Sequence, residues 1–151
     1  MKKVINLVLA VLTVGTLNAQ WAYKTIDNGF DEPYKIAYTE LNNDGYAKLE
    51  NVNGKVVLYI AGSYYCDEQP SVDVVFFVDG VNKKYAFTGS KSSDSKNIFI
   101  TWDLASDLDA TSDFKKATLL KVRINESYCD SESYLFTMSN SKDAFEFINK
   151  N

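Results

Sequence analysis

Two cysteines are present, and each sits in a near copy of one short stretch: Ser63-Tyr64-Tyr65-Cys66-Asp67-Glu68 and Glu126-Ser127-Tyr128-Cys129-Asp130-Ser131-Glu132. A cysteine between tyrosine and aspartate can ligate a metal, act as a nucleophile or close a disulfide, and the other residues decide which. Histidine is absent altogether, so the commonest metal ligand, general base and triad member are missing together. Two cysteines do not complete a structural zinc site alone. Pairing of Cys66 with Cys129 is the expectation, because a chain carrying the export signal read at residues 1–19 reaches an oxidising compartment, and it would clamp the two stretches together at one end of the fold. In the chain-entropy model, closing a loop of about 64 residues stabilises the fold by about 4 kcal/mol.

The clamped end is the candidate binding surface. Asp67, Glu68, Asp130 and Glu132 would converge there with Tyr64, Tyr65 and Tyr128, placing aromatic contact area inside an acidic rim. Such a surface suits a basic protein partner or a sugar that stacks on tyrosine. The competing reading is that the tyrosines pack over the disulfide while the acids keep the loops soluble.

Two other constellations carry less. Asp107, Asp109, Thr111 and Asp113 alternate as the first ligands of a calcium loop do. Ser112, however, stands where such a loop turns on glycine, and Thr118 where its bidentate glutamate belongs. A solvated acidic segment is the expected reading. Carboxylates that could pair for glycoside hydrolysis are abundant, as on any acidic surface, and no spacing singles out two of them. The expectation is a chain with no catalytic residues, no metal site and no cofactor.

The elements that would position the clamped end follow from periodicity. Each cysteine stretch lies between two apolar runs, 56–61 and 72–78 for the first, 119–124 and 134–138 for the second. Each therefore reads as the loop of a strand-loop-strand unit. In the 56–61 run both alternating sets are apolar, Val56, Leu58 and Ile60 against Val57, Tyr59 and Ala61. The 72–78 run is nearly the same, and strands buried on both faces read this way, which places these two centrally. Asn53-Gly54 and Asp79-Gly80 are turn signals between strands. Further strands are expected at 21–26, 34–38, 46–52, 84–87 and 98–102, with Tyr34, Ile36 and Tyr38 sharing a face. The serine-rich residues 89–97 are expected as an exposed, mobile loop. Residues 112–117 are expected as one or two helical turns capped by Ser112. Ala144, Phe145, Phe147 and Ile148 are spaced as the docking face of a short final helix capped by Ser139, Asn140 or Ser141. The sum is mainly β: an antiparallel β-sandwich or barrel of about eight strands, with a short C-terminal helix and one disulfide.

Residues 1–19 read as a signal peptide, with Lys2 and Lys3 before an apolar run at 4–12 and a small residue, Ala19, at the cut. The run is shorter than the ~20 apolar residues that span a bilayer, so no stable membrane insertion is expected once it is removed. Residues 20–151 then form a single exported domain of 132 residues, 151 less 19. The whole chain has 16 basic and 20 acidic residues, and without Lys2 and Lys3 the balance is 14 against 20, a net charge of −6. That balance, with Arg123 the one arginine, argues against nucleic acid as a partner.

The plan of Trp21, an Asn-Gly hairpin, a strand leading to Cys66, Cys129 before a strand at 134–138 and a final helix over 144–148 resembles small exported β-sandwich proteins of bacteria. Some of those are accessory to envelope or secretion machinery. No functional residue is carried across from them. The expected function is a non-enzymatic binding domain, periplasmic or extracellular, whose partner is a protein, an envelope component or a glycan. Two rivals stand beside it. An inhibitor of a basic hydrolase would act through the acidic disulfide-linked loops and weaken with salt. A carbohydrate-binding module would stack sugars on tyrosine or tryptophan and keep its affinity in salt.

Overall fold

The alternating runs assemble into two antiparallel sheets in the computed structural model, which describes residues 21–27, 29, 32–40, 46–62, 64–103 and 107–150. The expected leader and the turn at 42–45 lie outside these residues. The larger sheet holds β1 (Ala22–Ile26), β2 (Tyr34–Glu40), β3 (Tyr46–Val52), β4 (Lys55–Ala61), β7 (Ser90–Lys91) and β8 (Asn97–Asp103). The smaller holds β5 (Ser71–Val78), β6 (Val81–Thr88), β9 (Leu119–Asn125) and β10 (Glu132–Thr137). Spatial order is β1-β2-β3-β4-β8-β7 in one and β10-β9-β5-β6 in the other. Two helices, α1 (Leu108–Lys116) and α2 (Ser141–Asn149), complete the described residues. The expected antiparallel sandwich, disulfide and C-terminal helix are all present.

Asn53 and Gly54 take positive φ of 54° and 80°, and Asp79 and Gly80 take 50° and 81°. Positive φ at both central residues gives the two-residue turn whose twist matches the strands it joins. It closes β3 onto β4 and β5 onto β6.

The inner faces meet in one core. Val56, Leu58 and Ile60 of β4 lie opposite Trp102, Ile100 and Ile98 of β8. From the other sheet, Val72, Val74 and Phe76 of β5 lie opposite Ile124, Val122 and Leu120 of β9. All twelve are buried and belong to a single cluster, each contributing about 1.5–3 kcal/mol by leaving water. Phe114 of α1 is a hub of this core, with ring centroids of Trp21, Phe76, Trp102 and Phe145 at 6.1, 5.9, 5.8 and 6.2 Å.

Helix α2 packs on β2 and β3, and this explains which face of β2 turns inward. Ala37 and Thr39 are buried, as are Ala144, Phe145 and Ile148 of the helix, because a helix approaches a strand closely only over small side chains. The bulkier Tyr34, Ile36 and Tyr38 do share a face, but it is the outer one. Phe147 packs on Tyr23 at 5.0 Å, and the Lys35 ammonium donates to the Lys150 carbonyl.

Several expectations are corrected. Helix α1 begins at Leu108 with Asp107 at its N-cap, so Ser112 lies inside the helix and caps nothing. The Asp107 carboxylate is bent back to accept the Asp103 amide at 2.9 Å. The segment 89–97 is an ordered hairpin: Ser90 and Lys91 pair with β8, and the Ser92 hydroxyl donates to Asp94 at 2.5 Å. That bond holds the Asp94 carboxyl below its ordinary value. Strand β5 is interior to its sheet as expected, but its second face, with Asp73 exposed and Val75 and Phe77 half-buried, is not covered.

Candidate functional site

The β4–β5 connection, residues 62–70, and the β9–β10 connection, residues 126–131, leave the sandwich at the same end. Cys66 and Cys129 are joined by a disulfide with a Cα separation of 6.0 Å. Polar contacts tie the loops together beside the covalent bond. One Glu126 carboxylate oxygen accepts the amides of Cys66 at 2.5 Å and Asp67 at 3.1 Å. The Asp67 carboxylate answers by accepting the Ser127 amide at 2.6 Å. Each loop thus supplies the acceptor for the other's orphan donors, and bonds to an ionised acceptor are about twice as strong as neutral ones. Lys91 closes the arrangement from β7, donating to the Cys66 carbonyl at 3.1 Å and pairing with Glu68 at 2.9 Å. The Glu68 carboxylate raises the Lys91 pKa.

Beneath the disulfide runs a second, buried chain of bonds. Tyr65 is fully buried. Its hydroxyl lies 2.7 Å from that of Tyr134, which donates to the Glu132 carboxylate. Burial pushes the pKa of both phenols up, and for Tyr134 the bonds to Glu132 and Tyr65 push it further. Gly62 leaves room for the two hydroxyls, since a Cβ there would overlap both.

The seven residues expected at the binding surface therefore divide. Tyr64, Glu68, Tyr128 and Asp130 are exposed. Tyr65 is corrected from surface to core, because its position in the loop points it inward. Asp67 and Glu132 are half-buried, and their carboxylates accept from the Ser127 amide and the Tyr134 hydroxyl. Glu68 is balanced by Lys91, which leaves Asp130, among the described residues, as the one of these four acids without a recorded partner. The outward side chains of this end are thus the aromatic Tyr64 and Tyr128 with the acids Glu68 and Asp130 beside them. Tyr64, Tyr128, Asp130 and Glu132 line a shallow recess of about 600 Å³ beside the disulfide.

Cys66, Glu126 and Cys129 are the one grouping of metal-capable side chains among the described residues, within 4.8 Å of one another. With the sulfurs bonded to each other no thiolate is offered, and thiolate is the form that ligates zinc. The Asp107 to Asp113 series is spread over a helix. Thr111 accepts the Trp102 indole N–H at 3.2 Å and Asp113 accepts the Tyr85 hydroxyl at 2.6 Å; with Asp107 on the Asp103 amide, three of the four residues are already engaged within the fold.

Sequence reasoning missed a second aromatic surface. The register places Tyr38, Lys48, Tyr59 and Phe99 side by side across four strands of the larger sheet, on its outer face. The Lys48 ammonium sits 3.7 Å from the Tyr59 ring centre and 3.2 Å from Glu50, and Glu50 also accepts the Tyr59 hydroxyl. Tyr34 and Tyr46 stand exposed on the same face. The signal was the period of Tyr34, Ile36 and Tyr38 set against the small Ala37 and Thr39.

No family model, curated protein or solved structure matches the chain. The functional reading rests on this geometry.

Proposed function

We propose that the chain is a non-enzymatic exported binding domain that holds a protein or envelope component at its disulfide-clamped end. The observation that carries this is the pair of tyrosines there: Tyr128 is 88% exposed and Tyr64 61% exposed. They project from loops fixed by the disulfide, by Glu126 and by Asp67. Tyrosine supplies large contact area with few rotatable bonds, and a loop that is rigid before binding loses little further entropy on binding. The small exported bacterial β-sandwich proteins that the sequence resembles fit this role, and residues 1–19 fit an export signal. Because most of the acids are engaged within the loops, binding should depend on the tyrosines more than on charge. An inhibitor relying on acidic complementarity would do the reverse.

Affinity capture from the producing cell's envelope and medium tests this, comparing the oxidised protein with Tyr64→Ser/Tyr128→Ser. A partner kept by the first and lost by the second, and still kept in high salt, supports the reading. Equal capture by both removes the clamped end as the contact surface.

A second reading is favoured by the outer face of the larger sheet. Four tyrosines and Phe99 surround the Lys48–Glu50 pair there, an aromatic floor studded with hydrogen-bonding groups that suits a neutral glycan. Loss of glycan binding in Tyr34→Ala/Tyr46→Ala, with Tyr64→Ser/Tyr128→Ser unaffected, would select it over the first.

A further inference from the structure

The outer face of the smaller sheet concentrates positive charge on a chain that is acidic as a whole, with 16 basic against 20 acidic residues. Two neighbouring rungs of this sheet build the feature. In one, Lys84, Val75, Lys121 and Leu135 stand in line across four strands; in the next come Ala86, Asp73, Arg123 and Ser133. Adjacent strands are about 4.8 Å apart and alternate residues about 6.8 Å, so Lys84, Lys121 and Arg123 surround Val75 within reach of one small group placed above it. Among the described residues none of the three has an ion-pair partner. Asp73 lies directly opposite Arg123, yet its carboxylate accepts the Asn125 amide group at 3.0 Å. The one acid on this floor is thus tied across to Asn125 of the neighbouring strand β9; it keeps its charge, and three cations against one anion leave the floor net positive.

These side chains rim a groove of about 660 Å³ with Val75 and Leu135 on its apolar surface. Pockets of about 300–1,000 Å³ with an apolar lining and a few convergent polar groups are the usual size and character of small-ligand sites. Lysine stems add apolar wall while their ammonium groups stay at the rim. Half-buried Phe77 and Leu119 extend the apolar strip along the next rung, where an outward sheet face is ordinarily polar.

We infer that this groove binds a small amphipathic carboxylate, a single medium-chain acyl group whose acid head is held by Lys84, Lys121 and Arg123 and whose apolar body lies over Val75 and Leu135. Charge complementarity selects an anion, the apolar lining selects a hydrocarbon body, and the volume selects one chain. The site is on a different face from the clamped loops and stands or falls separately from them.

Calorimetric titration with octanoate, octan-1-ol and acetate tests both halves. One-site binding of octanoate is expected, with octan-1-ol and acetate each bound at least about tenfold more weakly. Lys84→Gln/Lys121→Gln/Arg123→Gln should weaken octanoate at least about tenfold, and Asp73→Asn should tighten it about threefold by removing a like charge. Arg123→Gln alone gives a smaller loss in the same direction and serves if the triple variant does not fold. Absence of octanoate binding, equal affinity for octan-1-ol, or unchanged affinity in the charge variants would overturn the inference.

Discussion

A Cβ on Gly62 would land on the hydroxyls of Tyr134 and Tyr65, so this position admits no side chain without moving the buried bond chain under the disulfide. Gly62→Ala should therefore cost about 1–3 kcal/mol, the usual penalty for overpacking, read as a lower urea midpoint at unchanged slope. A loss under about 0.5 kcal/mol, the range of ordinary surface substitutions, would show that the phenols move aside freely. The same phenols set the alkaline limit of the fold. Tyr59, Tyr65, Tyr85 and Tyr134 all have pKa values raised, first by burial and then, for Tyr59, Tyr85 and Tyr134, by bonds to neighbouring side chains, carboxylates among them. The native state holds these protons more tightly than the unfolded chain, in which tyrosine titrates at about 10. Their contribution is complete below that pH and is lost as pH rises above it. Tyrosinate absorbance at 295 nm should complete its rise only as the circular dichroism of the fold is lost; completion while the fold is intact would contradict this. At this scale the sequence was partly legible. Tyr65 and Tyr128 are each neighbours of a cysteine in matching stretches, and both were read as surface. One residue's difference in distance from the preceding strand sends Tyr65 into the core and Tyr128 into solvent, which composition cannot reveal.

Helix α1 looks dispensable from its polar sequence, yet Phe114 contacts four aromatic rings and Thr111 satisfies the Trp102 indole. Phe114→Ala should destabilise by about 3–5 kcal/mol, as large-to-small changes at buried aromatic residues do, while Asp109→Ala on the exposed side should stay within about 0.5 kcal/mol. Comparable losses for the two would mean that α1 acts through its surface rather than its packing. The strands were legible because β4 is apolar on both faces and β5 nearly so, and because Asn53-Gly54 and Asp79-Gly80 name their own turns. Helix α1 was legible only in its second half, because its single apolar anchor gives no period to count. The direction of β2 was hidden for a different reason: Ala37 and Thr39 turn inward to admit α2, against the simple rule that the larger apolar set faces the core.

For the whole molecule, the disulfide joins the β4–β5 and β9–β10 connections at one end, 63 residues apart in sequence. Cys66→Ser/Cys129→Ser should lower stability by about 2–5 kcal/mol while leaving a folded sandwich, since the core lies between the sheets and α1 and α2 close it independently. Unfolding of the variant under native conditions would assign the fold to the bond. Pairing of the cysteines was readable from the expectation of an oxidising compartment; the sharing of polar contacts between Glu126 and Asp67 was not, because it depends on two loops far apart in sequence meeting face to face. On the proposed function, this rigid end is where the partner sits. Hydrogen–deuterium exchange of the oxidised domain, alone and with its captured partner, tests it most directly. Slowed exchange is expected in residues 64–68 and 126–132, with the outer faces of both sheets unchanged. Protection confined to β2, β3 and β4, with the clamped loops exchanging as in the free protein, would contradict it.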